Sequence, residues 1–238
     1  MFSRPSRAPA RPAIHRQRHV PSARRLDRNA GQCHIEAMSE IRNVCVYCGS
    51  GPGTNPVFMQ AATALGRTLA ENGVRLIYGG GSLGMMGAVA AATLAHGGKV
   101  TGIIPAFLRD REHAMTDVQE LIVTRDMHER KQLMFERSDA FIAMPGGVGT
   151  LEELVEQMTW AQLGRHRKPI LLGNIDGFWE PFLALIAHMR ELAFIRAGLS
   201  VDVLTADRVE DMLPKLRAAA ADVGPIETLL QAGTADGL

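Results

Sequence analysis

From Arg42 onward the chain alternates two hydrophobic patterns. Short runs that are apolar almost throughout fall at 42–48, 74–78, 99–105, 120–124, 139–144, 168–173 and 200–205. Between them, apolar residues recur every three or four positions near 55–72, 85–97, 126–138, 150–163, 177–192 and 206–220. The first pattern predicts strands and the second helices. Strands that do not alternate apolar with polar residues are covered on both faces, which is the condition of a parallel sheet. Regular strand–helix alternation then predicts a doubly wound α/β fold of about seven strands, in a single domain over 38–222. In such sheets ligands bind beyond the carboxyl ends of the strands. Two glycine clusters, "YGGGSLGMMG" (78–87) and "PGGVGT" (145–150), fall at such ends.

Composition leaves this picture intact for the body and sets the first 37 residues apart. That segment holds eight of the arginines, four prolines (Pro5, Pro9, Pro12, Pro21) and two acids, Asp27 and Glu36. It has no apolar face to pack, so it is expected to be disordered. It reads as a dispensable extension upstream of a start at Met38. An organelle transit peptide and a nucleic-acid arm are the other readings, and the prolines count against the amphipathic helix a transit peptide uses. Residues 223–238 read as a C-terminal tail. The formal charge of +1 hides the asymmetry, because without the first 37 residues 18 basic and 23 acidic residues remain. A mildly acidic body argues against a nucleic-acid groove. No segment reaches the roughly 20 apolar residues of a membrane span. Cys45 and Cys48 form a C-x-x-C, but "NVCVYCGS" reads as a buried strand entering a turn, and no second Cys or His pair stands at zinc spacing. No metal site is expected. An odd cysteine count suits a reducing cytoplasm.

The glycine clusters carry the first chemical signal. Gly79, Gly81 and Gly84 satisfy G-x-G-x-x-G after a strand and before a helix. The acid that would confirm a dinucleotide site is missing from the end of the next strand, where Pro105 stands, and no Gly-Lys-Ser/Thr follows as in a P-loop. What remains is backbone that approaches a ligand closely and N–H groups at a helix start that attract an anion. Gly80, Gly81 and Ser82 are candidate contacts there. In the second cluster, Gly146, Gly147 and Gly149 offer a similar N–H nest. Thr150 and Glu153 stand at capping-box spacing, so Glu153 has a structural task open to it as well as a chemical one. Just upstream, "HERK" puts Arg130 and Lys131 early on a helix, near the same carboxyl edge. Cations beside an anion nest, with an acid, suit a phosphate-and-ribose site.

Together these residues resemble the LOG (Lonely Guy) family of cytokinin riboside 5′-monophosphate phosphoribohydrolases, often mislabelled lysine decarboxylases. The family hallmark PGGxGTxEE is matched by Pro145 to Glu153, and MHxRK by Met127 to Lys131. "CVYCGS", "YGGGSLGMMG" and "TWAQLG" are also similar to the family pattern, over roughly 41–216. The resemblance implies a Rossmann-like, cofactor-independent cytoplasmic homodimer. Its implied reaction splits a nucleoside 5′-monophosphate, such as AMP or a cytokinin nucleotide, into free base and ribose 5-phosphate. It implies Arg130 and Glu153 as the catalytic pair. Implied substrate contacts are Glu112, Lys131, Gly146, Gly147, Val148, Gly149, Thr150, Leu151, Glu152 and Thr159. Chemistry agrees with the pair: glycosidic cleavage passes through an oxocarbenium-like state that a carboxylate stabilises, or attacks through an activated water.

Three rival readings stand beside this one. Decarboxylation on pyridoxal phosphate would need a lysine in a recognisable cofactor context, and none of Lys99, Lys131, Lys168 and Lys215 has one. A non-catalytic nucleotide or cofactor carrier of the same fold is the main alternative, opposed by the presence of both Arg130 and Glu153. A nicotinamide-dependent oxidoreductase rests on the Gly79–Gly84 match alone.

Overall fold

A computed structural model of the protein describes residues 41–109, 111–195 and 203–222. The expected extension over 1–37, the tail over 223–238 and the early part of the seventh predicted strand lie outside them. Seven strands form one parallel sheet: β1 (Asn43–Tyr47), β2 (Arg75–Tyr78), β3 (Val100–Pro105), β4 (Glu120–Thr124), β5 (Ala140–Ala143), β6 (Ile170–Gly173) and β7 (Leu204–Ala206). Their order is β4-β3-β2-β1-β5-β6-β7. Among the described residues six α-helices accompany them, five between strands and the last after β7: α1 (Pro56–Glu71), α2 (Gly84–Ala95), α3 (Met127–Glu136), α4 (Val148–Gln162), α5 (Glu180–Glu191) and α6 (Val209–Asp222). The expected doubly wound, Rossmann-like α/β architecture is the observed one.

The period of two along each strand divides the core. Val44, Val46, Ile142 and Met144 face one layer with α1, α2 and α6. Cys45, Tyr47, Phe141 and Ala143 face the other, with Met134 of α3 and Leu154 of α4. Cys45 and Cys48 therefore lie on opposite faces of the sheet, both buried and free. The C-x-x-C is a strand residue and its third neighbour, and strand geometry keeps the thiols apart.

Chain order reverses at β1, which pairs with β2 on one side and β5 on the other. The loops leaving β1 and β5 thus flank the crevice where such folds bind ligands. They are joined directly, since Gly49 N donates to the Pro145 carbonyl at 3.1 Å. The loop leaving β2 and the start of α2 are fastened to the loop leaving β1, where Met86 N donates to the Gly49 carbonyl at 3.3 Å. Gly84 holds φ +55°, and a Cβ there would overlap the Ser50 carbonyl. Only glycine permits that combination of backbone conformation and approach.

Candidate active site

The site is assembled at the start of two helices. α3 begins with Asp126, whose side chain accepts from Glu129 N at 2.9 Å, while Glu129 Oε2 accepts from Arg125 N at 2.8 Å. This reciprocal cap fixes the first turn of α3 and hence Arg130 and Lys131 at its end. α4 begins differently. Its N-cap is Gly147, with no side-chain hydrogen bond. Gly147, Val148 and Gly149 are exposed, so the first-turn N–H groups of α4 face solvent at the sheet's carboxyl edge, as an anion site requires.

That start corrects two expectations. The Thr150–Glu153 spacing is not a capping box, because the helix opens at Val148, two residues before Thr150. The pattern that looks like a cap in sequence lies inside the first two turns. Likewise the helix begins at Val148 rather than near 150, so Val148 and Gly149 are helical. Glu153 is thereby released from the structural task the spacing offered it. It is buried on the inner face of α4 with Thr150, Leu154 and Gln157.

Arg130 and Glu153 meet there. Arg130 Nη2 is 3.7 Å from Glu153 Oε1, and the two side chains are only 7% and 11% exposed. The guanidinium is poorly satisfied. Nη2 reaches the Gly79 carbonyl at 3.5 Å, Nη1 reaches Met127 Sδ at 3.8 Å, and Nε is buried without a partner among the described residues. A Cβ on Gly79 would overlap this guanidinium, which explains the glycine at the end of β2. Burial pushes the Glu153 carboxyl up to about 7. Arg130 opposes the rise, Glu152 and Glu112 add to it, and Lys131 opposes it more weakly.

Glu112 reaches the site through the segment after β3. That segment folds over the first glycine cluster, with Met115 N donating to the Gly80 carbonyl at 3.0 Å and Ser82 N to the Glu112 carbonyl at 3.2 Å. Glu112 Oε2 is buried without a partner among the described residues and lies beside Gly81. Gly80, Gly81 and Ser82 are therefore joined to Glu112. Lys131 pairs not with Glu153 but with its neighbours on α4, Glu152 Oε1 at 2.6 Å and Glu156 Oε1 at 3.0 Å. Thr159 does not join the group. It is exposed, donates to its own helix at Val155 O, and lies six residues beyond Glu153, about 9 Å along the axis on another face of α4.

Two parts of the site escaped the sequence reading as functional elements. One is the loop after β1, where Gly49, Ser50 and Gly51 join Gly146, Gly147, Phe58 and Phe178 around a cavity of about 320 Å3. The switch-point rule would have singled out this loop, since β1 is the strand at which the order must reverse. The other is Glu156, signalled by its i, i+4 spacing from Glu152. Among the described residues, no three His, Cys, Asp or Glu side chains group to hold a metal ion.

A family described as possible lysine decarboxylase matches residues 86–216. The cytokinin riboside 5′-monophosphate phosphoribohydrolase LOG of Oryza sativa subsp. japonica is 45% identical over 181 residues, 76% of this chain and 75% of that protein. The chain belongs to the LOG family. The corresponding LOG7 enzyme of Arabidopsis thaliana is 43% identical over 182 residues, covering 76% of this chain and 83% of that one. Among solved structures, the molybdenum cofactor binding protein of Rippkaea orientalis superposes with a TM-score of 0.56 at 24% identity, over 75% of this chain and 97% of that one. The molybdenum cofactor carrier protein of Chlamydomonas reinhardtii gives 0.56 at 23%, over 76% and 99%. These two likenesses show a shared fold. The decarboxylase description finds no support in the LOG-like site: Lys131 is held by two carboxylates, Lys168 donates to the Phe135 carbonyl and Lys215 to the Thr205 carbonyl.

Proposed function

We infer that the protein hydrolyses the N-glycosidic bond of a purine or cytokinin nucleoside 5′-monophosphate, giving free base and ribose 5-phosphate. The observation that carries this reading is the buried Arg130–Glu153 pair beside the open N-terminus of α4. It occurs in a chain 45% identical to a named phosphoribohydrolase. The first-turn N–H groups of α4 hold the 5′-phosphate, aided by the helix dipole. Glu153, in the second turn, faces the other end of the ribose. The C1′–N bond breaks with its electron pair leaving on the base, which takes up a proton from solvent, and positive charge develops at C1′. The Glu153 carboxylate stabilises that charge and takes a proton from the water that adds to C1′. Arg130 favours the ionised form of Glu153 against the effect of burial and turns its unspent donors to the ribose or phosphate oxygens. Glu112, with Gly80, Gly81 and Ser82, borders the sugar.

The protein acts in the cytoplasm as a homodimer. No described helix is long and apolar enough to cross a membrane. The dimer is supported by an apolar groove between α4 and α5 that includes Thr159.

The test is base release, followed by chromatography, from AMP, an N6-isopentenyl-AMP and the matching nucleosides without phosphate. Release from 5′-monophosphates and not from nucleosides is expected. Tight binding of the nucleotides with no release of base would instead identify a carrier.

A further inference from the structure

Lys131 and Glu156 form a strut between α3 and α4, outside the PGGxGTxEE run. Lys131 follows Arg130 directly, and Glu156 follows Glu153 by three residues, so the strut braces the two elements that carry the buried pair. The Lys131 ammonium is held by two carboxylates of unlike character. The Glu152 side chain is 51% exposed, whereas that of Glu156 is 19% exposed and its Oε2 is buried without a partner among the described residues. An exposed carboxylate leaves an ion pair at little cost, because water replaces its partner. A largely buried one stripped of its cation is stranded without water to replace it. An ammonium also has three donors, and the two carboxylates use two of them. Glu152 is thus exchangeable and Glu156 is fixed. Without Glu156, the flexible four-carbon stem of Lys131 would carry the charge outward to solvent.

We propose that Glu156 is a positioning residue for the reaction: it holds Lys131 at the mouth of the Arg130–Glu153 site while Glu152 gives way to the anionic group of the substrate. This rests on the phosphoribohydrolase reading. Glu156 itself touches no substrate and acts through Lys131. The arrangement also settles how a site lined by Glu112, Glu152 and Glu153 accepts a phosphate. The carboxylate nearest solvent moves off the lysine, and the one behind it keeps the cation in register.

The experiment is a double-mutant cycle on the full chain. Wild-type turnover of a 5′-monophosphate is measured first. If wild type releases no base, the hydrolase reading fails, and the cycle is read in AMP affinity by calorimetry instead. Glu156→Gln is expected to lower kcat/KM, or affinity, on the order of tenfold, the scale of a misplaced charged group. In a Lys131→Met background the same substitution changes it less than about twofold, because no ammonium is left to position. Unchanged kcat/KM in Glu156→Gln overturns the proposal. So does an equal loss in both backgrounds, which would mean that Glu156 acts without Lys131. If Glu156→Gln fails to fold, Glu156→Met carries the same cycle. Failure of both to fold makes Glu156 a residue of the fold alone and overturns the proposal as well.

Discussion

A carboxylate buried as deeply as Glu153 is expensive to ionise, and ionising it lowers the stability of the fold. Its carboxyl titrates at about 7, against an ordinary value of 4.5. Between those two pH values the folded state holds a proton that the unfolded state has lost. The Glu153 contribution to stability is therefore greatest below about pH 4.5, falls as pH rises to about 7, and is flat above. The full difference is about 3 kcal/mol. Glu153→Gln does not titrate, so its melting temperature relative to wild type should rise by several degrees between pH 5 and pH 8. Comparing two pH values cancels any pH-independent effect of the substitution. The same variant should lose turnover. Wild-type kcat/KM should climb tenfold per pH unit on the acid side of about 7, and no such limb should appear if Glu153 were only a packing group. Arg130→Gln removes the cation that opposes the rise, so the stability transition should move above 7. A transition that stays put would remove Arg130 from the electrostatics of Glu153.

At the scale of elements, the site depends on how three loops abut at the switch point. Gly84→Ala should destabilise the fold by about 1–3 kcal/mol in urea unfolding, since φ +55° and the Ser50 carbonyl both oppose a side chain there. A neutral substitution would show that the loop has room to move. The elements themselves were legible because the buried inner strands of a parallel sheet print as unbroken apolar runs, and each predicted strand overlaps an observed one, the half-buried edge strands β4 and β7 included. The start of α4 was not legible. Thr150-x-x-Glu153 carries cap chemistry, yet Gly147 starts the helix, just after Pro145, whose carbonyl accepts from Gly49 N in the loop after β1. The working cap lies in Asp126-x-x-Glu129, which uses the same local grammar. Local patterns show that a cap is possible; only the packing around a segment decides where it forms. The pairing of Lys131 with Glu156 was hidden for the same reason, since it joins residues on two helices across the layer.

At the scale of the whole molecule, the described residues leave one layer unfinished. α5 buries none of its residues fully, unlike the other five α-helices. Leu185, Leu192 and Phe194 are exposed beside it, Phe194 at 80%, and Val155 of α4 lies across the groove. An apolar surface of this kind on a folded chain marks an association site. Thr159 sits in the same groove, far from Glu153 within its own chain. If the family role of Thr159 holds, it contacts substrate from a second subunit, and a C2 pair of α4–α5 faces would bring it to the partner's site. Val155→Asp should then give a monomer by light scattering, because a charge buried in an apolar interface has no partner. Turnover should fall with dimer content and recover at protein concentrations that restore the dimer. A monomeric wild type, or a monomeric variant with full turnover, would show that each chain holds a complete site and that Thr159 takes no part in it.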